Sequence, residues 1–275
     1  MTYREIMVHV DSLERSETRV RLALDLAKRF GARLRGAFAE CDPYLANLAS
    51  RRPDEIFRDE ENRWRGLWAE QTSASGIAAE WSASIVRRDD ALISALLFWA
   101  RHSDLAVLGQ HDARQQHASG VPQDLIERIV LWSGRPVLAL PYAGEFPHVG
   151  RRVMVAWNGG REATRAVHDA LPFLVAAEEV VLVALNPRDP ARSHGDVPCA
   201  DLARHLKAHG VAADTEALEV QDIGVMDMLL SRIADRGADL LVMGAHGHYG
   251  FPHLNRGSGT RHILTHLTVP VLLSH

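Results

Sequence analysis

The chain carries one pattern twice, and that repeat limits the folds open to it more than any other feature. Ile6-Met7-Val8-His9-Val10 is a short apolar run that stops at Asp11-Ser12. Val153-Met154-Val155-Ala156-Trp157 is a second such run, stopping at Asn158-Gly159-Gly160. Each leads into an Ala- and Leu-rich helical stretch, Ser16 to Phe30 in the first copy and Glu162 to Ala176 in the second. Further on, Asp104-Leu105-Ala106-Val107-Leu108-Gly109 matches Asp239-Leu240-Leu241-Val242-Met243-Gly244. The last apolar runs, Arg135-Pro136-Val137-Leu138-Ala139-Leu140 and Val269-Pro270-Val271-Leu272-Leu273, match as well. The offset from Asp104 to Asp239 agrees with that from Pro136 to Pro270 to within one residue. Two unrelated segments would not hold that register, so the chain reads as one domain duplicated and fused. Ala143 to Gly150 has the composition of a linker, which sets the domains at 1–143 and 150–275.

Within each copy, short continuous apolar runs alternate with helical stretches of ten or more residues. Strands buried on both faces read this way, and a parallel sheet wrapped by helices is what buries them. The fold class is α/β: two tandem, doubly wound, five-stranded parallel-sheet domains. In the second copy the pattern predicts strands near 152–157, 179–185, 213–219, 239–243 and 269–274. Helices are predicted near 161–176, 198–209, 223–236 and 257–266. The first copy adds Pro53 to Thr72, where Ile56, Phe57, Trp64, Leu67 and Trp68 recur near one helical face. A helix covering its own core explains that spacing better than a partner-binding face.

Composition narrows the function. With 47% apolar residues the chain is an ordinary globular protein, and a net charge of −4 argues against broad electrostatic binding of nucleic acid. Two cysteines, Cys41 and Cys199, form no disulfide framework and fit a reducing compartment. No run is long enough to span a membrane, and the first residues lack the apolar core of a signal peptide, so the expectation is a cytoplasmic protein with no membrane partner.

The chemistry concentrates after the fourth strand of the second copy. Gly244-Ala245-His246-Gly247 is followed, after nine residues, by Gly257-Ser258-Gly259-Thr260 and a helix. Ligands of open parallel sheets bind at this edge. Glycines allow close backbone approach to a phosphate, successive N–H groups can line one concavity, and the helix N-terminus adds donors and a favourable dipole. The hydroxyls of Ser258 and Thr260 are further donors. The bland alternative is a structural turn with Ser258 as N-cap and Gly244 as a strand end. The spacing is neither that of a P-loop nor that of a dinucleotide-binding Rossmann loop.

These residues resemble the universal stress protein family in its tandem form, over nearly the whole chain. The G-x-x-G-x9-G-S pattern of Gly244, Gly247, Gly257 and Ser258 carries the likeness, with the first-strand turn and the Val-Pro-Val last strand. The resemblance implies a Rossmann-like, adenine-nucleotide-alpha-hydrolase-like fold whose two copies pack as a pseudo-dimer through their last strands, with a homodimer also open. It implies ATP or another adenine nucleotide as ligand, with or without Mg2+. Gly247, Gly257, Ser258, Gly259 and Thr260 would face the phosphates, Met243 and Gly244 the ribose, and Leu185 the base. Asn158 stands where the family usually has Asp, so its amide cannot supply the carboxylate's charge. The first copy departs further. It keeps Asp11 but has Asp112 where the second glycine belongs, and Val121-Pro122 after Gly120, which predicts no ATP binding of the family kind there.

The expected role is that of a regulatory stress-response protein with unidentified protein partners, at most a weak ATPase, with no catalytic residues or metal ligands assigned. A slow nucleotide hydrolase or nucleotidyl transferase on the same scaffold, and a non-nucleotide interaction module, remain the alternatives. Among the fifteen histidines, His194, His205 and His209 lie near Cys199 but without the spacing of a zinc site, and His246 and His248 fall in the glycine loop. Asp227 and Asp239 read as a helix residue and a strand-start residue.

Overall fold

A computed structural model of the chain describes residues 2–41, 53–86, 89–112, 114, 120–185, 198–219, 224–247 and 258–275. The chain divides into two compact units, Thr2–Tyr142 and Ala143–His275. Each is an α/β unit with a parallel sheet.

In the N-terminal unit the strands are β1 (Glu5–Val10), β2 (Arg33–Cys41), β3 (Ala79–Val86), β4 (Leu105–Gly109) and β5 (Val137–Leu140). Their order is β3-β2-β1-β4-β5, all parallel. The helices are α1 (Arg15–Phe30), α2 (Pro53–Ser75), α3 (Asp89–Arg101) and α4 (Leu125–Ser133). The centre is β1, where Ile6 lies opposite both Leu34 and Leu105, and Ile6, Met7 and Val8 are fully buried. A strand covered on both faces has no use for alternation, which is why its sequence is a continuous apolar run.

In the C-terminal unit the strands are β6 (Arg152–Trp157), β7 (Glu179–Leu185), β8 (Asp214–Leu218), β9 (Leu240–Gly244) and β10 (Val271–Ser274). Their order, β10-β9-β6-β7-β8, repeats that of the first unit, again all parallel. The helices are α5 (Arg161–Asp169), α6 (Leu171–Ala176), α7 (Ala200–Ala208), α8 (Val225–Arg236) and α9 (Ser258–Thr265). The single helix expected over 161–176 is broken at Ala170. Pro172 sits in the first turn of α6, where it needs no N–H donor; inside a continuous helix it would remove a hydrogen bond and clash with the preceding turn.

The duplicated aspartates perform one task in both units. Asp104 Oδ2 accepts the backbone N–H groups of Arg4 (2.7 Å) and Glu5 (3.0 Å), and its own N–H donates to the Glu5 carbonyl (2.7 Å). Asp239 Oδ1 accepts from Gly150 (2.7 Å), Arg151 (3.0 Å) and Arg152 (3.2 Å), and its N–H donates to the Arg152 carbonyl (2.9 Å). Each carboxylate thus pins the start of its unit's first strand to the start of its fourth.

The long α2 lies against β3, with Trp64 and Trp68 buried. Trp68 meets Trp81 of β3 at 5.6 Å between ring centres, and Trp81 donates its indole N–H to Glu61 (2.7 Å). A β-carbon on Gly36 would stand 2.6 Å from the Trp81 ring, so β2 takes glycine where the two tryptophans press on it. Truncating either buried tryptophan would cost about 3–5 kcal/mol. The side chains of Ile56 and Phe57 lie outside the described residues. Among the described residues, no helix is long and apolar enough to cross a membrane.

Candidate nucleotide site

The C-terminal ends of β6, β7 and β9 and the first turn of α9 form one edge of the C-terminal sheet, and the residues singled out by sequence gather there. Asn158 follows β6 directly. Its Oδ1 accepts the N–H of Gly160 (3.0 Å) and so folds the turn that starts α5. Met243 and Gly244 end β9, and Leu185 ends β7. Ser258, Gly259 and Thr260 open α9. Gly257 lies outside the described residues, as do the side chains of Leu185 and Ser258, His194 and His248.

The segment 245–247 is held firmly. The Ala245 N–H donates to the Ser274 carbonyl (2.8 Å), and the Ala245 carbonyl meets His275 Nδ1 (2.9 Å). His246 turns through the left-handed region (φ 55°), and its N–H donates to Thr260 Oγ1 (2.9 Å). Thr260 is buried, so its hydroxyl clamps the loop while keeping its own O–H to donate.

The two described glycines of the motif differ in what they touch. A β-carbon on Gly244 would lie 2.5 Å from the Ala163 backbone nitrogen and 2.6 Å from the Glu162 carbonyl carbon. The first turn of α5 therefore demands glycine there for packing alone. Among the described residues, a β-carbon on Gly247 would meet only side-chain atoms at ordinary contact distances: Glu162 Oε2 at 3.4 Å and Asn158 Nδ2 at 3.8 Å. Its φ is not in the left-handed range either. Nothing the described protein does at Gly247 requires a glycine. Gly259 faces Met226 of α8, whose sulfur would lie 3.5 Å from an added β-carbon.

The same contacts bring Glu162 to the site, a residue that sequence reasoning took only as the start of a helix. Its carboxylate is 3% exposed and bonded by Arg161 Nε (2.8 Å). Burial works to raise its pKa, but Arg161, a backbone N–H and the nearby His275 outweigh that and hold it below the usual range, so it is ionised. The signal available in the sequence was position: a carboxylate in the first turn of the helix after strand one, four residues past Asn158.

The histidines group elsewhere. His168, His205 and His209 are exposed, with ring centres 4.9–6.4 Å apart. Among the described residues, no cluster of His, Cys, Asp and Glu has the arrangement of a metal site. His262 Nε2 contacts Asp227 Oδ1 (2.8 Å), tying α9 to α8.

The equivalent edge of the N-terminal unit is built differently. Asp11 keeps the same turn, with Oδ1 accepting from Leu13 N–H (3.0 Å) and Ser16 Oγ (2.8 Å), but its Oδ2 is paired with Arg19 at 2.8 Å, both side chains being buried. Burial pushes the Asp11 carboxyl up; the Arg19 guanidinium, His9 and Ser16 more than reverse this. His9 donates Nε2–H to the Ala39 carbonyl (2.8 Å), and burial with the Arg19 charge lowers its pKa to about 4 against the pull of Asp11. Asp112 is bonded by Arg114 through Nε (2.9 Å) and Nη2 (3.0 Å), which holds it below the usual carboxylate range. Gly120 takes φ 56° and lies so close to the end of β2 that a β-carbon would collide with the Cys41 carbonyl oxygen. The chain itself thus covers that carbonyl, while the carbonyl of Ala39, which corresponds to Leu185 of the other unit by the strand registers, already accepts from His9.

Known proteins share this architecture. The fold of the whole chain superposes on a universal stress protein from Archaeoglobus fulgidus with a TM-score of 0.74, 17% identity and coverage of 98% of this chain and 97% of that one. A functionally unknown protein from Pseudomonas aeruginosa PAO1 gives a TM-score of 0.60 at 15% identity, covering 99% and 92%. Both likenesses are of fold. A universal stress protein from Synechocystis is 25% identical over 195 residues, which are 70% of this chain and 64% of that relative. The C-terminal unit, over residues 150–275, matches the sequence model of the universal stress protein family.

Proposed function

We propose that the whole chain is a tandem universal stress protein, cytoplasmic and regulatory, whose C-terminal unit binds ATP or another adenine nucleotide. Gly247 carries this reading. Packing explains Gly244, but among the described residues neither packing nor backbone conformation explains Gly247, and a glycine beside a helix N-terminus suits the close approach of a phosphate. Gly247, Gly257, Ser258, Gly259 and Thr260 would face the phosphates. Asn158, Met243 and Gly244 would meet the ribose, and the backbone of Leu185 the base, as the family resemblance implies. The ionised Glu162 beside Gly247 suits a nucleotide that carries a divalent cation, since a carboxylate oxygen is a hard ligand of the kind Mg2+ takes. Mg2+ would offset the repulsion between that carboxylate and the phosphates. Bound nucleotide would act by favouring one conformation or partner over another. In the N-terminal unit, Gly120 over the Cys41 carbonyl and the Arg114–Asp112 pair support the absence of a nucleotide.

Calorimetric titration with ATP, with and without Mg2+, tests the reading. One site per chain, tighter with Mg2+, is the expected result. No binding at millimolar ATP, or two sites per chain, overturns it. Release of phosphate at a steady rate under the same conditions would favour a hydrolase over a sensor.

A further inference from the structure

An open groove of about 660 Å3 runs along the amino ends of the N-terminal strands, at the opposite end of that sheet from Asp11 and Asp112. Arg4, Arg33, Arg35, Arg101 and Arg135 line it. Three carboxylates stand against them, Glu5, Glu80 and Asp104. The groove thus has a local excess of two positive charges, on a chain whose net charge is −4. Its carboxylates are already committed. Glu80 is shared between Arg33 on one oxygen and Arg35 on the other (2.7 Å to Arg35). Glu5 Oε1 lies 3.3 Å from Arg35 Nη2, and Asp104 holds the backbone N–H groups of Arg4 and Glu5. The donors are not all committed. Arg35 Nε is a buried N–H with no hydrogen-bond partner. Arg4 and Arg101 pair with no carboxylate among the described residues, and Arg101 Nη2 donates instead to the Trp132 carbonyl (3.0 Å).

Aromatic side chains complete the surface. Phe98 and Trp99, near the end of α3, line the groove. Phe98 is 61% exposed, and Trp132, which Arg101 ties to α3 from the neighbouring α4, is 54% exposed. They are two of the three large apolar side chains left exposed among the described residues. One such side chain alone is ordinary, but aromatics gathered with arginines have the composition that protein interfaces favour.

We propose that this groove docks an acidic peptide segment of a partner protein, its carboxylates on Arg4, Arg35 and Arg101 and an apolar side chain against Phe98 and Trp132. Carboxylates supply the acceptors that the uncommitted donors need. Span decides for a peptide over a small ion. The strands β2, β1, β4 and β5 stand in that order about 4.8 Å apart, so the arginines at their amino ends spread over roughly 14 Å. An extended segment covers that distance with about four or five residues and turns alternate side chains to the groove. A nucleic acid fits less well, because the chain outside the groove is more acidic than the chain as a whole and repels a long phosphate backbone.

Fluorescence anisotropy on the full-length chain tests this with a labelled peptide of about eight alternating glutamate and leucine residues, and with its glutamine counterpart. Saturable binding of the acidic peptide, at least about tenfold tighter than that of the glutamine peptide and weakening as salt rises, is expected. Arg4→Glu should weaken it at least about tenfold and leave the melting temperature unchanged, since the Arg4 guanidinium holds no carboxylate in the fold. Phe98→Ala keeps every charge and should weaken binding about fivefold by removing the apolar contact. No saturable binding of the acidic peptide at millimolar concentration, equal affinity for the glutamine peptide, or parental affinity in either folded variant overturns the proposal. Displacement of the peptide by a single-stranded oligonucleotide at lower concentration than by unlabelled peptide overturns it in favour of a nucleic acid.

Discussion

Gly244 and Gly247 stand three residues apart in one motif, yet substitution by alanine should affect them in opposite ways. At Gly244 the new methyl group would lie 2.5 Å from a backbone nitrogen and 2.6 Å from a backbone carbon of α5. Backbone in the first turn of a packed helix cannot yield cheaply, so the cost should reach the upper part of the overpacking range, about 3 kcal/mol. For a unit of this size that corresponds to a fall of very roughly 10 °C in its melting temperature. At Gly247 the methyl group meets, among the described residues, side-chain atoms no nearer than 3.4 Å. Stability should change by less than about 0.5 kcal/mol. Nucleotide affinity should fall instead, because the methyl group holds the phosphate away from the backbone N–H. Losing one charge-assisted hydrogen bond of about 1.5–3 kcal/mol weakens binding roughly tenfold to a hundredfold. Gly247→Asp should abolish binding, but it also sets a second carboxylate beside Glu162, so alanine is the cleaner probe. Scanning calorimetry and titration with ATP and Mg2+ on both alanine variants separate the effects. A Gly247→Ala protein that melts normally and binds ATP with parental affinity would refute the phosphate loop. A Gly244→Ala protein that melts like the parent would refute the packing argument.

The two aspartates at strand starts should be equivalent. Asp104→Ala and Asp239→Ala each strand backbone donors, and each should destabilise its unit by about 2 kcal/mol in urea unfolding; a loss confined to one unit would show that the shared device is not shared. Gly120→Ala combines a left-handed φ with a collision against the Cys41 carbonyl, and should destabilise the N-terminal unit by about 1–3 kcal/mol in the same assay. Parental stability would contradict it. Glu40 is fully buried and hydrogen-bonded by Ser12, with an Oε1 that has no partner among the described residues; burial raises its pKa from 4.5 to about 8. A folded-state pKa above the unfolded one means stability is present below pH 4.5 and lost as pH rises towards 8, so Glu40→Gln should remove an alkaline loss between those values. His9 has the opposite sign: its pKa falls from 6.5 to about 4, so its contribution is present above pH 6.5 and lost as pH falls towards 4. Thermal melts of Glu40→Gln and the parent from pH 4 to 8 check this, and a difference between them that does not vary with pH would count against it.

The α/β pattern, the repeat and most strand positions were legible in the sequence because parallel strands and amphipathic helices leave local periodicities. The predicted 213–219 and 269–274 became Asp214–Leu218 and Val271–Ser274, within the usual fraying of ends. Side-chain destinations were less legible. Arg19 lies in the helical stretch expected after the first strand, and only the fold reveals that it turns inward to Asp11 across the first-strand turn. Glu162 looked like an ordinary first-turn acid, and its place beside Gly247 depends on how the loop after β9 crosses the start of α5. The reason for Gly244 was likewise hidden, since a motif shows that glycine is required but not whether a ligand or a neighbouring helix requires it. Thr260 was expected to face phosphate, and the backbone of His246 already shares its hydroxyl.

The aspartate that pins each first strand has a consequence for how the protein is made. Arg4 and Glu5 wait for a carboxylate 100 and 99 residues further along the chain, and Gly150 and Arg151 for one 89 and 88 residues away. At a ribosomal rate of about 5–20 residues per second, β1 is outside the exit tunnel for roughly 5–20 s before Asp104 and β4 exist to complete it. During that interval one edge of an apolar strand is unpaired, and the process repeats when β6 awaits β9. The nascent chain therefore passes twice through a stage at which a chaperone, or a second copy of the same strand, can reach it. A duplicated fold inherits its parent's folding delay once for each copy.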